Sequence, residues 1–230
     1  MTEQKTTRKI QQRAIDAKAR IIDAAAREFV TKGYRGASLS DIILEAESNK
    51  RFFYNYFPGG KRDIAKAIME NTLTMDGLRP QRLKVQEIYD IGMILAHRVA
   101  REDALLAALK LSFEYGSSEE YGTPWPDWVA FNTGQLTEAQ QKGELRPHVI
   151  PEEQARQIPG TWSGLVLTAI VIDGGLDHLE THISRAYQNL LGAIAVPEVL
   201  PFVDFSVDRG EKLYTEFLLE GQPQPDAADE

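Results

Sequence analysis

The sequence predicts an all-α protein: an N-terminal three-helix head followed by a larger helical body. Apolar residues recur at helical spacing along most of the chain, the pattern of amphipathic helices. No stretch sustains the period-two alternation of a half-buried strand. No 20–50-residue repeat marks a solenoid or propeller.

Residues 1–14 carry Lys5, Arg8, Lys9 and Arg13 with little apolar content, and read as a flexible basic arm. Off DNA such an arm is solvated; on DNA it can follow a groove. A first helix is expected near residues 15–32, where Ile21, Ile22, Ala25 and Phe29 share a face. Residues 38–61 then hold two short helices joined by a polar turn. Ser38 caps the first, and Asp41 three positions on completes a capping box. Glu47-Ser48 interrupts the apolar pattern, and Ser48 is the expected cap of the second. Phe53 and Phe57, four apart, pack inward, while Lys50, Arg51, Tyr54 and Asn55 occupy the opposite face. A fourth helix begins near Lys61, with Ile64, Ala67 and Ile68 inward, and links head to body.

The body continues in helices. Val85, Ile88, Ile91, Leu95 and Val99 mark one, and Leu105, Leu106, Leu109 and Phe113 the next. Residues 116–126 form a Gly-, Ser- and Pro-rich loop. Trp128, Phe131, Leu136 and Ala139 mark a helix reaching about Lys142. Ile158, Trp162, Leu165, Val166, Ala169 and Ile170 form the most apolar helix, stopped by Gly174-Gly175. Leu179, Ile183, Ala186, Leu190 and Ile194 mark another, and Leu213, Phe217 and Leu218 a terminal one. The domains read as 1–14 arm, 15–60 helix-turn-helix head, 61–220 ligand-binding and dimerisation body, and 221–230 disordered tail.

Composition narrows the function. The chain has 230 residues, no cysteine and a net charge of −8. Disulfides, thiolate zinc and cysteine catalysis are excluded. No long apolar run or secretory signal is present, so a cytoplasmic protein without a membrane partner is expected. The charge is segregated. Residues 1–72 hold fourteen Lys and Arg against nine Asp and Glu, a net of +5; the remaining 158 hold twelve against twenty-five, a net of −13. A basic head on an acidic body is the asymmetry of a protein whose head alone meets nucleic acid.

In the 38–61 stretch, cations and hydroxyls suit phosphate, and Lys, Arg and Asn reach base edges in a major groove. Lys50 and Arg51 are the candidate base readers. Ser38, Tyr54, Tyr56 and Lys61 are the candidate phosphate ligands, with Phe52 and Asn55 completing the contact surface. The partner is double-stranded operator DNA.

The same stretch resembles the DNA-binding signature of the tetracycline-repressor (TetR) family: a Ser-rich start, Asp41-Ile42, Lys50, Tyr54 and an aromatic-Phe close at Tyr56-Phe57. Upstream, Arg20 to Tyr34 is similar to that family's first helix, ending in Lys32-Gly33-Tyr34. Three departures stand out. Glu47 and Ser48 replace the usual Gly and apolar residue, Arg51 a small residue, and Gly59-Gly60 lengthens the loop before Lys61 by one. The resemblance implies a homodimer joined through its last helices. The broad apolar faces from Ile158 and from Leu179 agree with a subunit interface.

Trp125-Pro126-Asp127-Trp128-Val129, the run from Gly143 to Pro147 and Asp208-Arg209-Gly210 resemble the autoregulator-receptor branch, repressors that bind γ-butyrolactones or related furans and control antibiotic synthesis. That resemblance assigns ligand contact to Trp128. From helical spacing, Tyr89, Phe113, Phe131, Gln135, Thr161, Trp162 and Leu165 are further candidates, an apolar set with a few polar groups suited to a small uncharged inducer.

His178 and His182 share a helix spacing but have no third ligand, and no phosphate loop, nucleophile elbow or carboxylate pair appears. No cofactor, metal or catalytic residue is expected. The alternatives are a regulator answering another small molecule such as an antibiotic, or none, and a helical enzyme with a vestigial head. Lys50, Arg51 and Tyr54 on one face argue against the last.

Overall fold

The computed structural model describes residues 2–72, 74–114 and 116–221. They form α1 (Thr2–Gly36), α2 (Leu39–Glu45), α3 (Lys50–Tyr56), α4 (Lys61–Thr72), α5 (Lys84–Val99), α6 (Asp103–Ser112), α7 (Ser117–Glu120), α8 (Trp125–Gln141), α9 (Pro151–Thr168), α10 (Leu179–Ile194) and α11 (Arg209–Glu220). Among the described residues β pairing is confined to one bridge, Leu145 with Ala195. The fold is all-α. No described helix is long and apolar enough to cross a membrane.

Two differences from the sequence reading concern local structure. The stretch expected as a flexible arm belongs to α1, which starts at Thr2; it contains no Gly or Pro and is rich in residues that favour a helix. The 116–126 loop contains the single turn α7. The tail expected over 221–230 lies, beyond Gly221, outside the described residues.

The chain packs as two compact units, residues 1–74 with 102–124, and residues 75–101 with 125–230. In sequence the head closes at residue 60, but packing gives it α4, α6 and α7 as well. The reason is its core. Ile21, Phe29, Ile42, Phe53, Ile64 and Ile68 from α1 to α4 cluster with Ala107, Ala108 and Leu111 of α6 and with Tyr121. Burying one such large side chain contributes about 1.5–3 kcal/mol. Three consecutive alanines, Ala24 to Ala26, are fully buried on α1, where small side chains let α6 approach closely. The added segment brings one Lys against five acidic residues, so the first unit totals fifteen Lys and Arg against fourteen Asp and Glu, a net of +1. Its basic character is therefore local.

The second unit is built around α5, buried from Val85 to Val99. Its polar side chains are all engaged. The Asp90 carboxylate, fully buried, receives two donors from Arg209 and one from Gln86. Burial pushes the Asp90 carboxyl above its ordinary value, and the Arg209 and Gln86 donors offset only part of that rise. Gly92 leaves room for the Tyr187 ring, and Gly210 lies directly on the Met93 carbonyl; a Cβ at either would clash. The apolar α9 passes into a π turn, Ala169–Asp173, and Gly174 at φ 72° ends it.

Candidate nucleic-acid interface and ligand site

The turn between α2 and α3 has a defined hydrogen-bond pattern. Ser48 N–H donates to Ile43 O and Glu47 N–H to Leu44 O, a Schellman close with Glu47 at its left-handed position, φ 48°. Glycine is the residue that adopts this conformation freely, so Glu47 holds the turn under strain. The cap of α3 is Asn49 rather than Ser48: Asn49 Oδ1 accepts from Phe52 N at 2.9 Å. Ser48 is one residue too early, its N–H being used to close α2. Ser38 does cap α2, accepting from Asp41 N at 3.3 Å. The reciprocal half of the box is absent, because Ser38 N–H goes to Glu28 Oε1 and the Asp41 carboxylate pairs with Lys32.

α3 is anchored from behind. Phe53 and Phe57 are buried with ring centroids 5.8 Å apart. Lys50, Arg51, Tyr54, Asn55 and Tyr56 are exposed, and Phe52 is half-buried with its ring 4.7 Å from Tyr56. Lys50 and Arg51 make no ion pair among the described residues, whereas Arg27 pairs with Glu45 and Lys32 with Glu28 and Asp41. Two cations without an ion pair thus sit on the outward face of α3.

Lys61 has a different post from the one expected. Its Nζ donates to the carbonyls of Tyr34 and Ala37, each at 2.8 Å, and of Arg35 at 3.3 Å. It also lies over the Tyr34 ring. All three ammonium donors are spent on carbonyls left open between the break at Gly33 and the start of α2. The phosphate role expected of Lys61 has no donor left to serve it.

In the body, α8 packs against both α5 and α9. Trp128 is buried, with Phe131 edge-on at 5.8 Å, and Gln135 is half-buried one turn further. Thr161 and Leu165 are half-buried on α9. Trp162 is buried, its indole N–H donating to Gly92 O at 3.0 Å. Tyr89 is fully buried, its hydroxyl donating to Ser184 Oγ at 2.8 Å, its ring edge-on to Phe205. Tyr89 and Trp162 thus hold helices together. Phe113 closes α6 in the first unit and is 48% exposed. Its heptad-like spacing marks a face of α6 but not the unit that face serves.

One residue escapes the sequence reading. Asn132 is 2% exposed in the buried stripe Trp128, Asn132, Leu136 and Ala139. Its Nδ2 donates to Trp128 O at 2.8 Å, and its Oδ1 has no protein partner. Gln135 Oε1 is buried and unpartnered as well. An unmet acceptor costs about 1–3 kcal/mol, so such groups need a reason. The signal in the sequence is an amide four residues from Trp128 and four from Leu136.

Residues 21–68 match the model of bacterial regulatory proteins of the tetR family. Over 193 residues the chain is 28% identical to the A-factor receptor protein of Streptomyces griseus, covering 84% of this chain and 69% of that protein. Among solved structures it is similar to TylP, a TetR regulator from Streptomyces fradiae, with a TM-score of 0.79 and 25% identity over 90% of this chain and 99% of that one. The fold is also that of a γ-butyrolactone receptor described as ArpA-like, with a TM-score of 0.69 and 20% identity over 89% and 99% of the two chains.

Proposed function

We propose, for a chain that belongs to the TetR family of bacterial regulators by its residues 21–68 and its fold, the role of a homodimeric, ligand-released repressor acting in the cytoplasm. Members of this family are transcriptional regulators and not enzymes. The repressor binds a pseudo-palindromic operator through α3 of each copy, and a small autoregulator of γ-butyrolactone or furan type releases it. The genes it controls are those of antibiotic or other secondary metabolism, as kinship to an A-factor receptor suggests.

The observation that carries this reading is the outward face of α3, where Lys50, Arg51, Tyr54 and Asn55 are exposed on a helix fixed by Phe53. Lys50 and Arg51 read base edges, and Ser38, Tyr54 and Tyr56 meet phosphates. The dimer reading is supported by Val171 and Ile172, 82% and 77% exposed at the end of α9. The ligand lies beside Trp128.

The test is a selection of operators from random duplexes, followed by release with lactone and furan panels. An inverted repeat is expected, with half-sites about one helical turn or a multiple apart. Trp128→Ala should bind that operator and no longer let go. A stable monomer in sedimentation that binds a single half-site tightly defeats the dimer model; release of Trp128→Ala at the wild-type concentration removes Trp128 from the ligand site.

A further inference from the structure

The acids beside α3 are not used alike. On α2 the Asp41 carboxylate pairs with Lys32, and that of Glu45 with Arg27. Glu47, in the turn that follows, is exposed, and its carboxylate has no hydrogen bond or ion pair among the described residues. Lys50 and Arg51, three and four positions on, are exposed and without an ion pair as well. Charges of both signs thus stand within residues 47–51 and leave one another unneutralised.

Nothing in the fold calls for a glutamate in this turn. Backbone groups alone close it, Glu47 N–H donating to Leu44 O at 3.1 Å and Ser48 N–H to Ile43 O at 3.0 Å. The φ of 48° suits glycine and strains a residue with a Cβ. Strain held where the side chain has no internal partner points to a use outside the chain. The opening residues of a recognition helix meet base edges in the major groove. Three peptide steps keep the Glu47 Cα within about 11 Å of that of Lys50, the first residue of α3.

The chemistry of the carboxylate selects its target. It accepts and has no proton to give, so it is repelled by phosphate and by the keto oxygens of guanine and thymine. The N4 amino group of cytosine suits it, while the paired guanine offers O6 and N7, the acceptors that a Lys or Arg seeks.

We propose that Glu47 is a specificity-determining residue of the operator interface, its carboxylate accepting from a cytosine N4 in each half-site while Lys50 or Arg51 donates to the paired guanine. The proposal rests on α3 being the helix that reads DNA. Opposite charges side by side read the orientation of the pair. Exchanging its strands sets guanine O6 against the carboxylate and the cytosine amino group against the cation.

The experiment is operator selection from random duplexes by the full chain and by Glu47→Gly. Anisotropy titrations follow, on the selected operator and on duplexes with each C·G pair of the half-sites inverted in turn. Glu47→Gly relieves the strained turn and keeps the backbone bonds that close it. Wild type should lose about tenfold or more when one particular C·G pair is inverted. In Glu47→Gly the same inversion should cost less than about threefold, with preferences at the other positions retained. Glu47→Gln, whose amide donates as well as accepts, should tolerate the inversion too. A wild-type operator with no such cytosine, or the same selected sequence for wild type and Glu47→Gly, overturns the proposal. So does a variant that binds every duplex more tightly by one factor, which makes the carboxylate a general repellent of phosphate. If wild type enriches no sequence at all, the operator reading itself fails and the proposal falls with it.

Discussion

The backbone N–H of Tyr34 donates to Glu114 Oε1 at 2.6 Å, tying the break in α1 to the end of α6 across eighty residues of sequence. Gly33, at φ 68° and ψ 173°, opens the helix there, and a Cβ on it would lie 3.1 Å from the same carboxylate oxygen. The Tyr34 hydroxyl donates to Glu120, and burial pushes its pKa up to about 12. Glu114→Ala removes a charged acceptor from a part-buried N–H, and the first unit should lose about 1–3 kcal/mol. Hydrogen exchange at Tyr34 and urea unfolding would record it. Unaltered protection of that amide means the carboxylate does not hold the break.

Glu47 gives the opposite sign. Its left-handed conformation at the Schellman position strains a residue with a Cβ. Glu47→Gly should stabilise the protein by about 1 kcal/mol, less the extra freedom glycine adds to the unfolded chain. A thermal or urea midpoint at or below that of wild type refutes the strain.

Glu28 sets a pH dependence. Its Oε1 accepts from Lys32 Nζ at 2.8 Å and from Ser38 N at 3.1 Å, joining α1 to the start of α2. The Lys32 hydrogen bond, then that of Ser38 N–H, holds the carboxyl below its ordinary value. The folded state therefore releases this proton more readily than the unfolded state. Its contribution is complete above the ordinary carboxylate range and is lost as pH falls through the folded value. Glu28→Gln should cost about 1 kcal/mol at neutral pH, and the deficit should shrink below about pH 4. Denaturation series at neutral and acid pH test this; a constant deficit contradicts it.

Lys61 and Lys50 should separate stability from recognition. Lys61→Ala strips three carbonyls of their donor and should lower the melting temperature. Lys50→Ala touches no internal ion pair, so it should leave melting unchanged and weaken operator binding by about 1–3 kcal/mol. Fluorescence anisotropy and melting on the same samples distinguish them. Should Lys61→Ala melt as wild type yet bind every duplex more weakly, the lysine is a phosphate ligand after all.

How much the sequence disclosed depends on the range of the interaction. Features decided within one turn were legible: the Ser38 cap, the stops at Gly33 and Gly174, and the inward pair Phe53 and Phe57. Adjacent polar residues blurred one boundary, since Ser48 and Asn49 are both good caps and the α2 close selects between them. The first dozen residues read as a flexible arm because they lack apolar spacing, yet without Gly or Pro nothing in them stops α1 from starting at Thr2. Longer-range facts left no trace. Periodicity gave α6 an apolar face without saying that Ala107 and Leu111 complete the head. A lysine opening a helix looks like a phosphate ligand until the carbonyls of a broken helix are beside it. Asn132 was visible as a polar residue in an apolar stripe, but its unmet oxygen exists only in the packed structure.

The discontinuous first unit bears on modular exchange. Heads and bodies of such regulators invite recombination into chimaeras, and residue 74 looks like a natural suture. A graft cut there leaves behind Ala107, Ala108, Leu111 and Tyr121, which close the head's core. It also severs the carboxylate that holds Tyr34. The transplanted head would inherit a foreign sixth helix, and its foldability would hang on how well that helix fits alanines it never met. The transferable piece is residues 1–124 less the α5 passage, which no single crossover can deliver.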